Sequence, residues 1–305
     1  MASSTGTVRK DMRMIRKYVR ARLTANHDRR IRLLYEMFPA SYLFADRTTF
    51  INYGYWTNGC DSIDDASEAL AMRLAESADL GSADSVLDVG FGYGDQDFMW
   101  ARKWDKVKIC GLNITPAQVD AANARARTEG LGDRLEFHVG SATDTPFTSG
   151  RFDRVMALEC AQHFYPRTGF FSEAFRMLSP GGVLAATDVV PLSSDTPRLS
   201  FAAKPLEWVS TTVHEENWYD KGAYAKKLTD AGFVDVRVES IRDNIFEPWR
   251  RHILSKLADP AFERRIGKFY HKTLTKNWSD QPLLQREMKL LDYLMVTARK
   301  PADGA

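Results

Sequence analysis

The sequence predicts an α/β chain built on a doubly wound, parallel sheet covered by helices on both faces. Three observations predict it. Short apolar runs alternate with helical patterns between residues 85 and 190, a glycine-rich turn follows the first run, and 305 residues with 44% hydrophobic and 27% charged content suffice for a sizeable core.

The chain starts with Lys10, Arg13, Arg16, Lys17, Arg20 and Arg22 at helical spacing, interleaved with Met14, Ile15, Val19 and Leu23. This pattern predicts a basic amphipathic helix, read first as a solvated face and second as a contact for an acidic membrane surface or a partner. A short apolar pattern at 31–38 follows, then the aromatic stretch Asn52-Tyr-Gly-Tyr-Trp56, then a helix over 64–78 from its Ala and Leu spacing. Strands are predicted at 85–89, 107–112, 135–139, 154–158 and 183–190, with helices at 97–103, 116–129 and 170–178 between them. Two later strands fall at 234–241 and 291–298, while 191–217 and 245–285 look like cover segments over a site. The expected organisation is a helical leader and lid at 1–57, a ligand-binding core at 58–190, a cover segment and helix at 191–233, and the last strands with an inserted helical cover at 234–305.

Composition narrows the function. A formal charge of +2 argues against an extended phosphate-binding surface, and no window approaches the ~18 apolar residues of a membrane-spanning helix. The start lacks the apolar stretch of a secretion signal, so the cytoplasm is the expected compartment. Cys60, Cys110 and Cys160 stand far apart with no Cys-x-x-Cys pair and no His cluster at ligand spacing, which predicts reduced packing residues and no structural metal. Oligomeric state and a catalytic divalent metal are left open.

The turn Asp88-Val-Gly90-Phe-Gly92-Tyr-Gly94 lets backbone approach a ligand closely. Its spacing is not the dinucleotide fingerprint, and Asp95 sits where the third glycine of that fingerprint would fall, so a pyrophosphate would meet a carboxylate. The second strand ends at Asn113, placed to hold ribose hydroxyls. The third ends in Gly140-Ser141-Ala142, small groups that suit an adenine edge, although a plain surface loop explains them as well. The fourth runs through Leu158-Glu159 to His163, and the fifth, entered through Leu178-Ser-Pro-Gly-Gly182, ends at Asp188.

Four segments carry a family resemblance: INYGYW at 51–56, LDVGFGYGDQDFMW at 87–100, ALECAQHFYPRTGFF at 157–171 and RDNIFEPW at 242–249. Over residues 35–300 the chain resembles the class I methyltransferases, and within them the macrolide and polyketide sugar O-methyltransferases of the erythromycin-pathway type. The resemblance implies a Rossmann-like, seven-stranded sheet with a helical N-terminal lid and C-terminal cover segments, and S-adenosylmethionine as cofactor. It implies that Asp88, Gly90, Gly92, Gly94 and Gln96 hold the methionine end and ribose, Asn113 the ribose hydroxyls, and Ser141 with Ala142 the adenine. Tyr53, with Tyr55 and Trp56, would form a lid over the cofactor, and Glu159 would sit beside it. Asn113 departs from the acid usual in such enzymes, as does Ser141 from the acid with which many relatives read the adenine amino group.

The same resemblance turns the sulfonium methyl toward His163 and Asp188. His163 is the expected general base, with Asp188 on its far nitrogen, unless it is an ordinary helix-start residue. Trp208, Trp218 and Trp249 in the cover segments suit a bulky, partly apolar small-molecule acceptor. Two rivals remain: a C-methyltransferase acting on an isoprenoid, in which Glu159 stabilises the cation and takes its proton, and a catalytically silent S-adenosylmethionine-binding protein.

Overall fold

The computed structural model describes residues 16–17, 19–21, 23–37, 44–196, 212–279 and 288–304. Seven strands form one sheet: β1 (Ser85–Val89), β2 (Lys108–Asn113), β3 (Leu135–Val139), β4 (Phe152–Ala157), β5 (Leu178–Pro191), β6 (Val234–Ser240) and β7 (Leu291–Arg299). Their order is β3-β2-β1-β4-β5-β7-β6. The first five run parallel, whereas β7 slots between β5 and β6 antiparallel to both. The order reverses beside β1, so the carboxyl ends of β1, β2 and β4 open a crevice, where ligands bind in open α/β sheets.

Helices cover both faces: α1 (His27–Tyr35), α2 (Ile63–Ser77), α3 (Asp95–Lys103), α4 (Pro116–Thr128), α5 (Arg167–Met177), α6 (Lys221–Asp230), α7 (Phe246–Ala258), α8 (Pro260–Ile266) and α9 (Lys268–Ser279). Their starts follow from local chemistry: Asn26, Ser62 and Asp220 accept backbone N–H bonds as N-caps of α1, α2 and α6, and Pro116 opens α4. Alternate residues of β1 serve opposite cores. Val86 joins Ile109, Met156 and Ala185 under α2, α3 and α4, while Leu87 and Val89 join Leu112, Val155 and Leu184 under α5 and α6. Trp100 is fully buried in the first core and donates its indole N–H to the Ala71 carbonyl, locking α3 to α2. Truncating such a side chain costs about 3–5 kcal/mol.

A smaller cluster joins Ile63 to Trp249, Ile253, Leu257, Phe262 and Ile266, so α7 and α8 lie over the start of α2 and roof the sheet end. Asp64 closes the same region: its carboxylate accepts from the amides of Asp46, Arg47 and Thr48, and from the Thr48 hydroxyl. Burial alone would raise its pKa, but these bonds hold it below the ordinary value.

Of the basic leader, Lys17 pairs with Glu36 while Val19 and Leu23 face solvent; Lys10, Arg13, Met14, Ile15, Arg22 and the cover residue Trp208 lie outside the described residues. Among the described residues no helix is long and apolar enough to cross a membrane.

Candidate active site

A cleft opens at the carboxyl ends of β1 to β4. Gly90, Gly92 and Gly94 all adopt left-handed backbone, with φ of 70°, 61° and 82°, as the chain turns from β1 into α3. At Gly90 glycine is required twice over, because a Cβ there would lie 2.6 Å from the Cys160 Cβ. Gly90, Gly92, Gln96, Asn113, Ser141, Ala142, Glu159 and His163 all line this cleft. Asn113 at the end of β2 donates to the Gln118 side-chain oxygen at 3.0 Å and to the Gly92 carbonyl at 3.3 Å.

Three expected cofactor residues stand outside the lining. Asp88 points beneath the glycine turn, accepts from Gln96 Nε2 at 2.9 Å and abuts Asp97. Burial pushes both carboxyls up, and repulsion from Asp88 raises Asp97 further. Asp88 therefore shapes the turn through Gln96, which does line the cleft. Gly94 caps α3, facing Asp97 and Phe98. Tyr53 turns its ring onto Trp249, 4.4 Å between centroids, and the segment that lines the cleft is Thr49 to Asn52 just before it. Tyr55 lies under the Arg73 guanidinium and Trp56 against His252, both away from the cleft.

Asp95 is held by the Thr49 amide and hydroxyl and by Arg125, so the carboxylate at the start of α3 is neutralised within the protein. Glu159 follows β4 in a left-handed conformation, φ 51°, which costs a non-glycine residue about 1–2 kcal/mol. Its amide donates to Thr187 Oγ1 at 2.8 Å, and its carboxyl accepts from Tyr293 Oη at 2.6 Å and from the Tyr53 amide at 2.9 Å. Burial pushes that carboxyl up to about 8.

His163 is buried on the cleft wall. Tyr35 Oη meets its Nε2 at 2.8 Å, while Nδ1 faces the Thr212 carbonyl at 3.5 Å. A carbonyl only accepts, so Nδ1 carries the proton and Nε2 presents the lone pair. Burial depresses this imidazole to about 3, keeping it neutral. The expected His163–Asp188 contact is replaced: Asp188 is fully buried against Arg167, whose Nε lies 3.0 Å from Asp188 Oδ2. An anionic side chain with no solvent takes the nearest permanent cation, and here that is the guanidinium.

Sequence reasoning missed α1. Asp28, Ile31 and Tyr35 line the cleft, with Asp28 accepting from Ser141 Oγ at 3.0 Å. The apolar pattern at 31–38 was the available signal, but nothing local in it names the partner. It also missed a cluster of Cys110, Glu136 and His138, whose ligand atoms lie within 4.8 Å of one another on β2 and β3. Arg151 already binds Glu136 there at 2.9 Å.

A family model described as a methyltransferase domain matches residues 86–182. The chain is 42% identical over 278 residues to the erythromycin 3''-O-methyltransferase of Saccharopolyspora erythraea, covering 89% of this chain and 90% of that one. It is 29% identical over 258 residues to the 27-O-demethylrifamycin SV methyltransferase of Amycolatopsis mediterranei, covering 82% and 90%. The crystal structure of geranyl diphosphate C-methyltransferase from Streptomyces coelicolor, in complex with Mg2+, geranyl-S-thiolodiphosphate and S-adenosyl-L-homocysteine, shares the fold with a TM-score of 0.67 at 18% identity, covering 91% and 99%.

The cleft fits S-adenosylmethionine on its own chemistry. Asn52 Nδ2 and Gln118 Nε2 are buried N–H donors on its wall with no partner among the described residues, waiting for the acceptors of a polar ligand. The chain belongs to the class I S-adenosylmethionine-dependent methyltransferases.

Proposed function

We propose that the protein methylates a hydroxyl of a bulky secondary metabolite, a macrolide deoxysugar or polyketide hydroxyl, with His163 accepting the proton. One observation carries the reading: the lone pair of His163 Nε2 faces a cleft in which a hydroxyl, that of Tyr35, already sits 2.8 Å from it. An acceptor hydroxyl that displaces the Tyr35 hydroxyl meets the same nitrogen. The bound cofactor supplies an electrophilic methyl group on a sulfonium.

An alcohol oxygen becomes strongly acidic only as it bonds to carbon, so even an imidazole depressed to about 3 takes its proton late in the transfer. Neutrality matters more here than basicity, because a protonated ring would repel the sulfonium. Asp188 acts through Arg167, which donates to the Ala161 carbonyl at 3.4 Å, in the turn that carries His163. That pair is a positioning device for the base. The 42% identical relative, which acts on erythromycin by its name, supports a sugar hydroxyl as the target.

Methylation of an isoprenoid carbon has one observation in its favour, the contacts of Glu159 with two aromatic residues, Tyr53 and Tyr293. A carboxyl pushed up to about 8 is largely protonated at neutral pH, which does not suit stabilising a cation. The deciding experiment incubates the protein with isotope-labelled cofactor and either desmethyl macrolide glycosides or isoprenyl diphosphates. Gain of one labelled methyl on a macrolide oxygen supports the proposal. Label on an isoprenoid carbon overturns it, as does failure to release S-adenosylhomocysteine with every acceptor, the result expected of a silent binding protein.

A further inference from the structure

We propose that Asp28, on the N-terminal helix, reads the exocyclic amine of the cofactor's adenine. Adenine presents an amino group that can only donate, so its pocket needs an acceptor. At the end of β3 the expected adenine residue Ser141 cannot fill that need alone, because its hydroxyl donates to Asp28 Oδ2 at 3.0 Å and lies 3.0 Å from Thr143 Oγ1. Among the described residues the other Asp28 oxygen, Oδ1, has no hydrogen-bond partner, and no cation pairs with Asp28. A half-buried carboxylate on a cleft wall with one oxygen unspent is a site for an N–H donor.

The surroundings hold that carboxylate in place. Asn26 caps α1, and Asp28 lies in its first turn, where the helix dipole favours negative charge. His27 Nε2 donates to the His163 carbonyl at 2.8 Å, and Tyr35, seven residues after Asp28, contacts the His163 ring. The helix is thereby tied to the catalytic turn at both ends while Asp28 reaches the β3 loop. A second, independent feature on the adjoining wall is Gln118, 3% exposed, whose Nε2 lacks a partner and so suits the acceptor atoms of the same nucleoside. The carboxylate that Ser141 does not provide is supplied from 113 positions earlier in the chain.

The test measures binding, not turnover. Dissociation constants of the full-length chain are determined by calorimetry for S-adenosyl-L-homocysteine and for S-inosyl-L-homocysteine, in which a carbonyl replaces the exocyclic amine. The wild type is expected to favour the amine by about thirtyfold or more, since a carboxylate repels the carbonyl. Asp28→Asn, which can offer either an N–H or a carbonyl, is expected to lower that preference about tenfold or more with little change in Tm. Equal weakening toward both ligands, with the preference intact, overturns the proposal and leaves Asp28 as a helix-start residue. Asp28→Ala, which removes the carboxylate outright, is expected to lower the preference about tenfold or more and carries the test if Asp28→Asn does not fold; an unchanged preference there overturns it too. A wild type that binds neither ligand overturns the cofactor assignment along with this proposal, a result distinct from the loss of preference alone.

Discussion

Arg167 and Asp188 are an ion pair with no solvent exposure on either side chain, Nε to Oδ2 at 3.0 Å. The guanidinium also donates to the Asn217 carbonyl at 3.1 Å and lies 4.8 Å from the Tyr219 ring centre. Burial pushes Asp188 up to about 6 even against the adjacent cation, which shows how much the pair depends on both partners. Arg167→Met is expected to cost about 3–5 kcal/mol, because it strands a buried carboxylate, whereas Arg167→Met with Asp188→Leu should recover most of that loss. Denaturant unfolding of both variants checks this; a double variant as unstable as the single one refutes it.

His163 is expected to leave no mark on the rate profile near its ordinary pKa of 6.5, since burial depresses it to about 3. From about pH 5.5 to 7.5 the imidazole is neutral throughout, so any limb there, such as one from Asp188 near 6, should persist in His163→Ala. His163→Ala should lower kcat at least about tenfold and leave S-adenosylhomocysteine affinity nearly unchanged. A limb centred near 6.5 that vanishes in His163→Ala would show that the ring is solvated in the working enzyme.

The parts of the site built from one strand end and the turn after it were legible in the sequence. Gly90, Gly92, Asn113, Ser141 and His163 each follow a short apolar run, and each lines the cleft. Contacts between distant segments were not legible. Asp188 has Arg167 and not His163 because α5 delivers a permanent cation into a dry interior, and the run Tyr-Pro-Arg-Thr gives no local sign of that. Asp28 and Tyr35 reach the cleft from a helix 113 and 128 residues away from their partners. The cluster of Cys110, Glu136 and His138 exists only because β2 and β3 pair Cys110 with Glu136. The antiparallel placement of β7 likewise depends on how the chain returns after β6, which periodicity does not encode.

Glu159 should make stability fall as pH rises. Its folded pKa, about 8, lies above the ordinary 4.5, so the folded state binds the proton more tightly. The penalty for ionising it grows from about pH 4.5 upward and is complete above about pH 8. Glu159→Gln retains an oxygen to accept from Tyr53 and Tyr293 but cannot ionise. The Tm of the variant relative to wild type should therefore rise by a few degrees between about pH 5 and pH 8. A difference that is constant with pH, followed by calorimetry, would place the carboxyl in contact with water.

Gly90→Ala and Gly150→Ala separate backbone strain from crowding. Both glycines have left-handed backbone, φ 70° and 69°, so both alanines carry a conformational cost of about 1–2 kcal/mol. At Gly150 a Cβ meets nothing within 4 Å, whereas at Gly90 it would lie 2.6 Å from Cys160 Cβ and 2.8 Å from Cys160 Sγ. The Cys160 side chain is itself fixed by a 3.0 Å contact to the Val89 carbonyl, so it cannot yield without moving the strand end. Gly90→Ala should thus lose about 1–3 kcal/mol more than Gly150→Ala. Because Gly90 lines the cleft and Gly150 does not, weakened S-adenosylhomocysteine binding is expected from the first substitution alone. Equal losses of stability, measured by urea unfolding with calorimetric titration alongside, would mean that Cys160 can give way and that the turn after β1 is softer than its contacts indicate.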